Sequence, residues 1–158
     1  MPRAPSVFVF LVLTTAVTGP LTAQATRAPY TEGSVWNLQF IRVKPGMQDD
    51  YLNGVRATTK RLFDNAKRQG LVLSYHLISA PSATPQDWDL LFMVEYKNYA
   101  ALDGLREKLE PIAAQAIGGE SARRTLAGRR NEIREIVGTK LGRELILRDS
   151  TGAERTGQ

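Results

Sequence analysis

The chain has no cysteine and a single histidine, His76, among its 158 residues. Without cysteine there is no disulfide staple, no thiolate nucleophile, no lipid attachment at an N-terminal Cys, and no Cys-based zinc or iron–sulfur site. One histidine alone makes a poor divalent site, because catalytic metals take about three protein ligands; no metal is expected. The nucleophile elbow G-x-S-x-G of hydrolases is missing. Gly118-Gly119-Glu120-Ser121 lacks the lysine and the preceding strand of a phosphate loop and reads as a turn between helices. Apolar runs are short, and the longest, Val7 to Val17, falls below the length a helix needs to cross about 30 Å of hydrocarbon.

The composition is otherwise that of a folded protein. Hydrophobic residues make up 42% and charged residues 23%, which excludes disorder along the whole length and fits one domain. The formal charge of +5 is a mild excess that reads as a solvated basic surface, and nucleic acid is not expected as a partner.

The first 25 residues have the parts of an export signal. Arg3 supplies the positive start, Val7 to Val17 the apolar core, Gly19-Pro20 the break, and Ala23-Gln24-Ala25 the small residues at a cleavage point. The expectation is a chain exported to the periplasm or the extracellular space, cleaved to begin at Thr26, with no stable membrane anchor afterwards. Residues 26–34 read as a flexible lead-in, 35–148 as the folded domain, and 149–158 as a polar, disordered tail.

Within the domain, Val35 to Lys44 alternates as a strand, with Trp36, Leu38 and Phe40 on one face and Asn37, Gln39, Ile41 and Val43 on the other. Pro45-Gly46 turns the chain into a helix ending at Gly70, whose acidic first turn (Asp49, Asp50) and basic last turn (Lys67, Arg68) suit the helix dipole. Leu71 to Ala80 and Trp88 to Tyr96 form an antiparallel hairpin around a Pro-rich loop. Asn98 caps a helix interrupted at Pro111. A charged helix spans about Ser121 to Val137, its arginines 123, 124, 129, 130 and 134 read as a solvated face laced with ion pairs. Leu141 to Leu147 is the last strand.

The order β-α-β-β-α-(α)-β predicts an α+β, ferredoxin-like fold: a four-stranded antiparallel sheet with the helices on one face. The wholly apolar face (Trp36, Leu38, Phe40, Leu73, Tyr75, Leu77, Leu90, Phe92, Val94) is expected under the helices. The mixed face (Ile41, Val43, Val72, Ile78, Leu91, Met93) is left open, with too much apolar area to stay wet. A homodimer through that open sheet face is expected.

The run Phe40-Ile41-Arg42-Val43-Lys44-Pro45-Gly46-Met47 followed by Tyr51 resembles the opening of dimeric α/β-barrel proteins of the ferredoxin-like class. That superfamily includes cofactor-free antibiotic-biosynthesis monooxygenases, NIPSNAP-like proteins and haem-containing relatives. The resemblance covers Val35 to Leu147 and implies a dimeric α/β barrel whose ligand cavity lies between sheet and helices. It fixes no catalytic residue. The activity is left undefined, with binding of a small apolar ligand as the main reading. A cofactor-independent monooxygenase or a haem-binding enzyme of the same fold is the alternative; otherwise no cofactor is expected.

Candidate site residues come from the polar set on the mixed face. Asn37, Gln39, Ser74, His76 and Glu95 form one expected cluster, with His76 as a general base or a haem ligand. Trp36 and Tyr75 offer aromatic walls on the other face, Tyr75 also as a catalytic hydroxyl. The export expectation is checked by intact-mass measurement of secreted material, which should start at Thr26; a mass retaining Phe8 to Val17 rejects it.

Overall fold

A computed structural model describes residues 28–149. Its elements run β1 (Tyr30–Val43), α1 (Gln48–Val55), a π-helical turn (Arg56–Lys60), α2 (Arg61–Arg68), β2 (Ser74–Ser79), β3 (Leu90–Tyr96), a 3-10 turn (Tyr99–Leu102), α3 (Leu105–Ile117), α4 (Glu120–Ile133) and β4 (Arg134–Leu147). The four strands form one antiparallel sheet in the order β2-β3-β1-β4. This is the α+β, ferredoxin-like arrangement expected from the element order. The signal and most of the tail fall outside the described residues.

Local chemistry sets the boundaries. Gly46 and Gly70 turn the chain at φ +79° and +70°, backbone that residues with a Cβ seldom adopt. The helix between them is unbroken through α1, the π turn and α2, because each junction residue keeps right-handed helical angles. Asn98 does cap the next turn: its side chain accepts from the Ala101 amide at 3.0 Å. Pro111 lies at the middle of α3 without ending it.

The buried core lies between the sheet and the helices. One cluster joins Val35, Val94 and Tyr96 to Ala66, Val72 and Ile112. A second joins Ile41, Val43 and Leu90 to Tyr51. The registers Val35↔Tyr96, Asn37↔Val94, Gln39↔Phe92 and Ile41↔Leu90 put these residues of β1 and β3 on one face.

The parity expected for β1 is therefore inverted. Ile41 and Val43 lie under the helices of their own chain, whereas Trp36, Leu38 and Phe40 face the open side, opposite Glu95, Met93 and Leu91. Val72, expected on the open face, is also buried, and Leu73, expected under the helices, is 45% exposed. The reason is local: β2 starts only at Ser74, so strand alternation does not extend back to residues 71–73. From Ser74 onward the hairpin follows expectation, with Tyr75, Leu77, Phe92 and Val94 under the helices and Ile78, Leu91 and Met93 open.

Three boundaries shift. β1 begins at Tyr30, within the expected lead-in, because residues 30–32 pair with 145–147. β4 begins at Arg134 rather than Leu141, and α4 ends correspondingly early. The β1–β4 ladder also slips twice, near Gly33-Ser34 and opposite Val137, each slip being a bulge with one extra residue on one strand. Since Ile41 is covered by its own chain, Ile41→Ala should cost about 2–5 kcal/mol. Urea denaturation checks this, and the loss should be independent of protein concentration; a loss that appears only at low concentration would place Ile41 at an interface instead.

Candidate functional site

A cavity of about 280 Å³ opens between the sheet and the helices. Its floor is Asn37 and Gln39 of β1, Leu77 of β2, and Phe92, Val94 and Tyr96 of β3. Its roof is Tyr51 and Val55 of α1, Thr59 of the π turn, and Leu62 and Phe63 of α2. Ile117, Arg130 and Arg134 close one side. Phe63 meets Phe92 edge-on with centroids 5.2 Å apart, so one wall is aromatic while the amides and arginines form a polar end. Apolar walls with a few convergent polar groups are the usual make-up of a small-molecule site.

The π turn is part of the cavity wall. The Thr58 hydroxyl donates to the Gly54 carbonyl at 2.7 Å, a back-bond that competes with the regular helical ladder. The inserted residue rotates the rod so that Thr58 is buried against Arg130, which donates to its hydroxyl, while its neighbour Thr59 lines the cavity. Such insertions are frequent at functional sites.

Two arginines expected on a solvated face turn inward instead. Arg123 and Arg124 do form the expected ion pairs, with Glu110 and Glu120, and Arg129 is exposed. Arg130 occupies the last turn of α4, and burial together with the neighbouring Arg134 charge lowers its pKa. Arg134, the first residue of β4, donates from Nη1 to the Gln39 Oε1 and the Tyr51 hydroxyl, both at 3.3 Å. Its Nε is buried without a partner among the described residues. A sequence signal for Arg130 existed: it shares the helical stripe of Leu126 and Ile133, at four and three residues' distance. Arg134 gave no such signal, because its inward turn depends on the helix ending at Ile133.

The expected site residues divide between the two faces. Asn37 and Gln39 line the cavity. Trp36, Ser74, His76 and Glu95 lie on the open face, so the expected cluster of amides with His76 is not assembled. There, Trp36 stacks on His76 with centroids 6.1 Å apart, and Ser74 donates to Glu95 Oε2 at 2.6 Å. The cavity lining contains no histidine, so His76 offers no axial ligand to a haem held there. Tyr75 does face the helices, as expected, but its hydroxyl is committed outside the cavity, donating to Asp64 Oδ1 at 2.6 Å.

That bond sets the titration of both partners. Burial, then the Asp64 hydrogen bond, raises Tyr75 to about 12, and the Lys60 and Tyr75 hydrogen bonds hold Asp64 below the usual carboxylate range. A hydroxyl so placed is a poor acid or base near neutrality. The raised value means that the protonated tyrosine is favoured by the fold, so its contribution is present below about pH 10 and is lost as the pH rises towards 12. Difference titration of the wild type against Tyr75→Phe in the ultraviolet should show one late-ionising tyrosine; ionisation near pH 10 would reject the bond.

A scan against protein-family models finds no match, and a search of curated proteins finds none either. Among solved structures, the chain is similar to HapK from Hahella chejuensis, at 13% identity over 78% of this chain and 99% of that one, with a TM-score of 0.46. It is similar to a NIPSNAP family protein of unknown function from Agrobacterium tumefaciens, at 12% identity over 75% of this chain and 93% of that one, with a TM-score of 0.47. It is also similar to a dimeric ferredoxin-like protein from an uncultured marine organism, at 12% identity over 75% and 99%, with a TM-score of 0.45. None of these likenesses reaches a TM-score of 0.5, and none assigns a family or a role to this chain.

Proposed function

We propose that the protein is an exported homodimer that binds one small, largely apolar ligand per chain in the cavity between sheet and helices. The observation that carries the reading is the cavity itself: about 280 Å³, walled by Leu62, Phe63, Leu77, Phe92 and Val94, with the amides of Asn37 and Gln39 at its floor. A packed core of this composition would close around Leu and Phe rather than leave two strand amides beneath a helix. The ligand reading requires neither haem nor metal and involves no catalytic step by Tyr75 or His76, both of which lie outside the cavity lining.

The dimer is supported by the face the helices leave bare. Trp36, Leu38, Phe40, Ile78, Leu91 and Met93 share it, and Trp88 extends it by meeting Phe40 edge-on at 5.6 Å. A contiguous apolar face of this kind marks an interaction surface, and a second copy presents the same residues in a self-complementary way. Export supplies the compartment and rests on the first 25 residues.

Both parts are tested together. Leu38→Lys should shift the wild-type dimer to a monomer in sedimentation at micromolar concentration; a wild type that is already monomeric there rejects the dimer. At least one of the planar two-ring probes 2-naphthamide and 2-naphthoate should bind by titration calorimetry with one site per chain, and Leu77→Trp, which fills the cavity, should abolish that heat. Binding that Leu77→Trp leaves unchanged, or no binding of either probe, sinks the cavity reading.

A further inference from the structure

We infer that the ligand carries an anionic group, a carboxylate or a group of like geometry, received by Arg130 and Arg134 at the polar end of the cavity. The inference rests on the ligand-binding reading above and names the chemistry of that ligand.

The charge balance of the cavity leads to it. Two guanidinium groups line it, and among the described residues no carboxylate does. Each arginine is half-buried, and their protein hydrogen bonds go to neutral acceptors only: the Thr58 hydroxyl for Arg130, and Gln39 Oε1 and the Tyr51 hydroxyl for Arg134. The two bonds of Arg134 are long at 3.3 Å. Elsewhere in the protein several arginines find acids: Arg42 pairs with Glu135, Arg123 with Glu110 and Arg143 with Glu32. The inward pair is half-buried and makes no such ion pair among the described residues.

Like charges brought together in a partly desolvated space repel more strongly than in water. A guanidinium removed from water without an anion is destabilising. The lowered pKa of Arg130, caused by burial and by Arg134, is the same imbalance seen from the titration side. Arg134 Nε is buried with no partner among the described residues, so the planar donor fork of this arginine is not fully used within the chain. That fork matches the two oxygens of a carboxylate. The hydroxyl of Thr59 and the side-chain amide of Asn37 line the same space and supply further donors around the anion.

The arrangement also orients the ligand. Its charged end would sit at the α4–β4 junction, and its apolar body would lie along Phe63, Phe92 and Leu77. The expected ligand is thus a compact aromatic or branched acid rather than a neutral hydrocarbon or an amine.

The test compares 2-naphthoate with its neutral isostere 2-naphthamide by calorimetry on the full mature chain. Naphthoate should bind roughly tenfold or more tightly than the amide, as expected for charge-assisted hydrogen bonds. Arg134→Gln and Arg130→Gln should each remove most of that preference, read as the ratio of the two affinities measured on the same variant. Circular dichroism and thermal melts confirm that both variants fold; should either fail to, Arg134→Lys, which keeps the charge but loses the planar fork, replaces it and should reduce the preference only in part. Equal binding of the two probes, or a preference that survives both glutamine variants, overturns the anion site and leaves the cavity reading intact. Failure of both probes to bind overturns the cavity reading and this inference with it.

Discussion

Everything in this fold depends on how β1 is buried. It is an inner strand, hydrogen-bonded to β3 on one edge and β4 on the other, and both of its faces are committed. Over residues 35–43 its odd-numbered side chains meet the helices and its even-numbered ones form the bare face of the sheet. Because the side-chain period of a strand is two, a slip by one residue would exchange these sets completely. The anchors against that slip are Val35 and Ile41, among the most completely buried side chains described, with the Val43 amide donating to both oxygens of Asp89 at 3.1 and 3.2 Å. Between the anchors lie Asn37 and Gln39, two amides held under helices because hydrophobic residues on either side of them pin the strand.

The polar interior and the helical rod above it are coupled. Thr58 bends its bonding back to Gly54 and also receives Arg130, so the inserted helical residue, the end of α4 and the cavity floor through Arg134 and Gln39 form one connected set. The hydrogen bonds of the set go to neutral acceptors, apart from Arg134 Nε, which is left without a partner among the described residues. A native fold departs from the simplest hydrophobic pattern where function requires it, and here the departures coincide in one place.

The sequence showed the element order, the turn glycines, the Asn98 cap and the parity of the hairpin, because those signals are local. It misplaced β1 for an instructive reason. Trp36, Leu38 and Phe40 are the greasier set, so a rule that sends the most apolar face to the helices chooses them. The rule fails when a second apolar surface exists and when the interior holds a polar site. The pattern Val35, Asn37, Gln39, Ile41, Val43, apolar at both ends and amide in the middle, was the available clue to a wet pocket under the helices. Arg134 was not recoverable in the same way: its position depends on where α4 gives way to β4, and the long-range pairing Val43↔Arg134 sets that boundary.

One feature of the ladder reaches beyond the site. β1 and β4 continue pairing past the end of β3, so residues 30–32 and 145–147 form a two-stranded ribbon with no third strand beside it among the described residues. Leu145, Ile146 and Leu147 are at least half exposed along it, and β4 is an outer strand for its whole length. An outer strand of this length offers unpaired backbone groups as a template for chain-on-chain growth. Lys140, Glu144 and the Glu32–Arg143 ion pair set charges along that rim, and charge is the common natural safeguard against such growth. Fibril formation in this protein would thus nucleate at the ribbon and accelerate wherever high salt screens those charges.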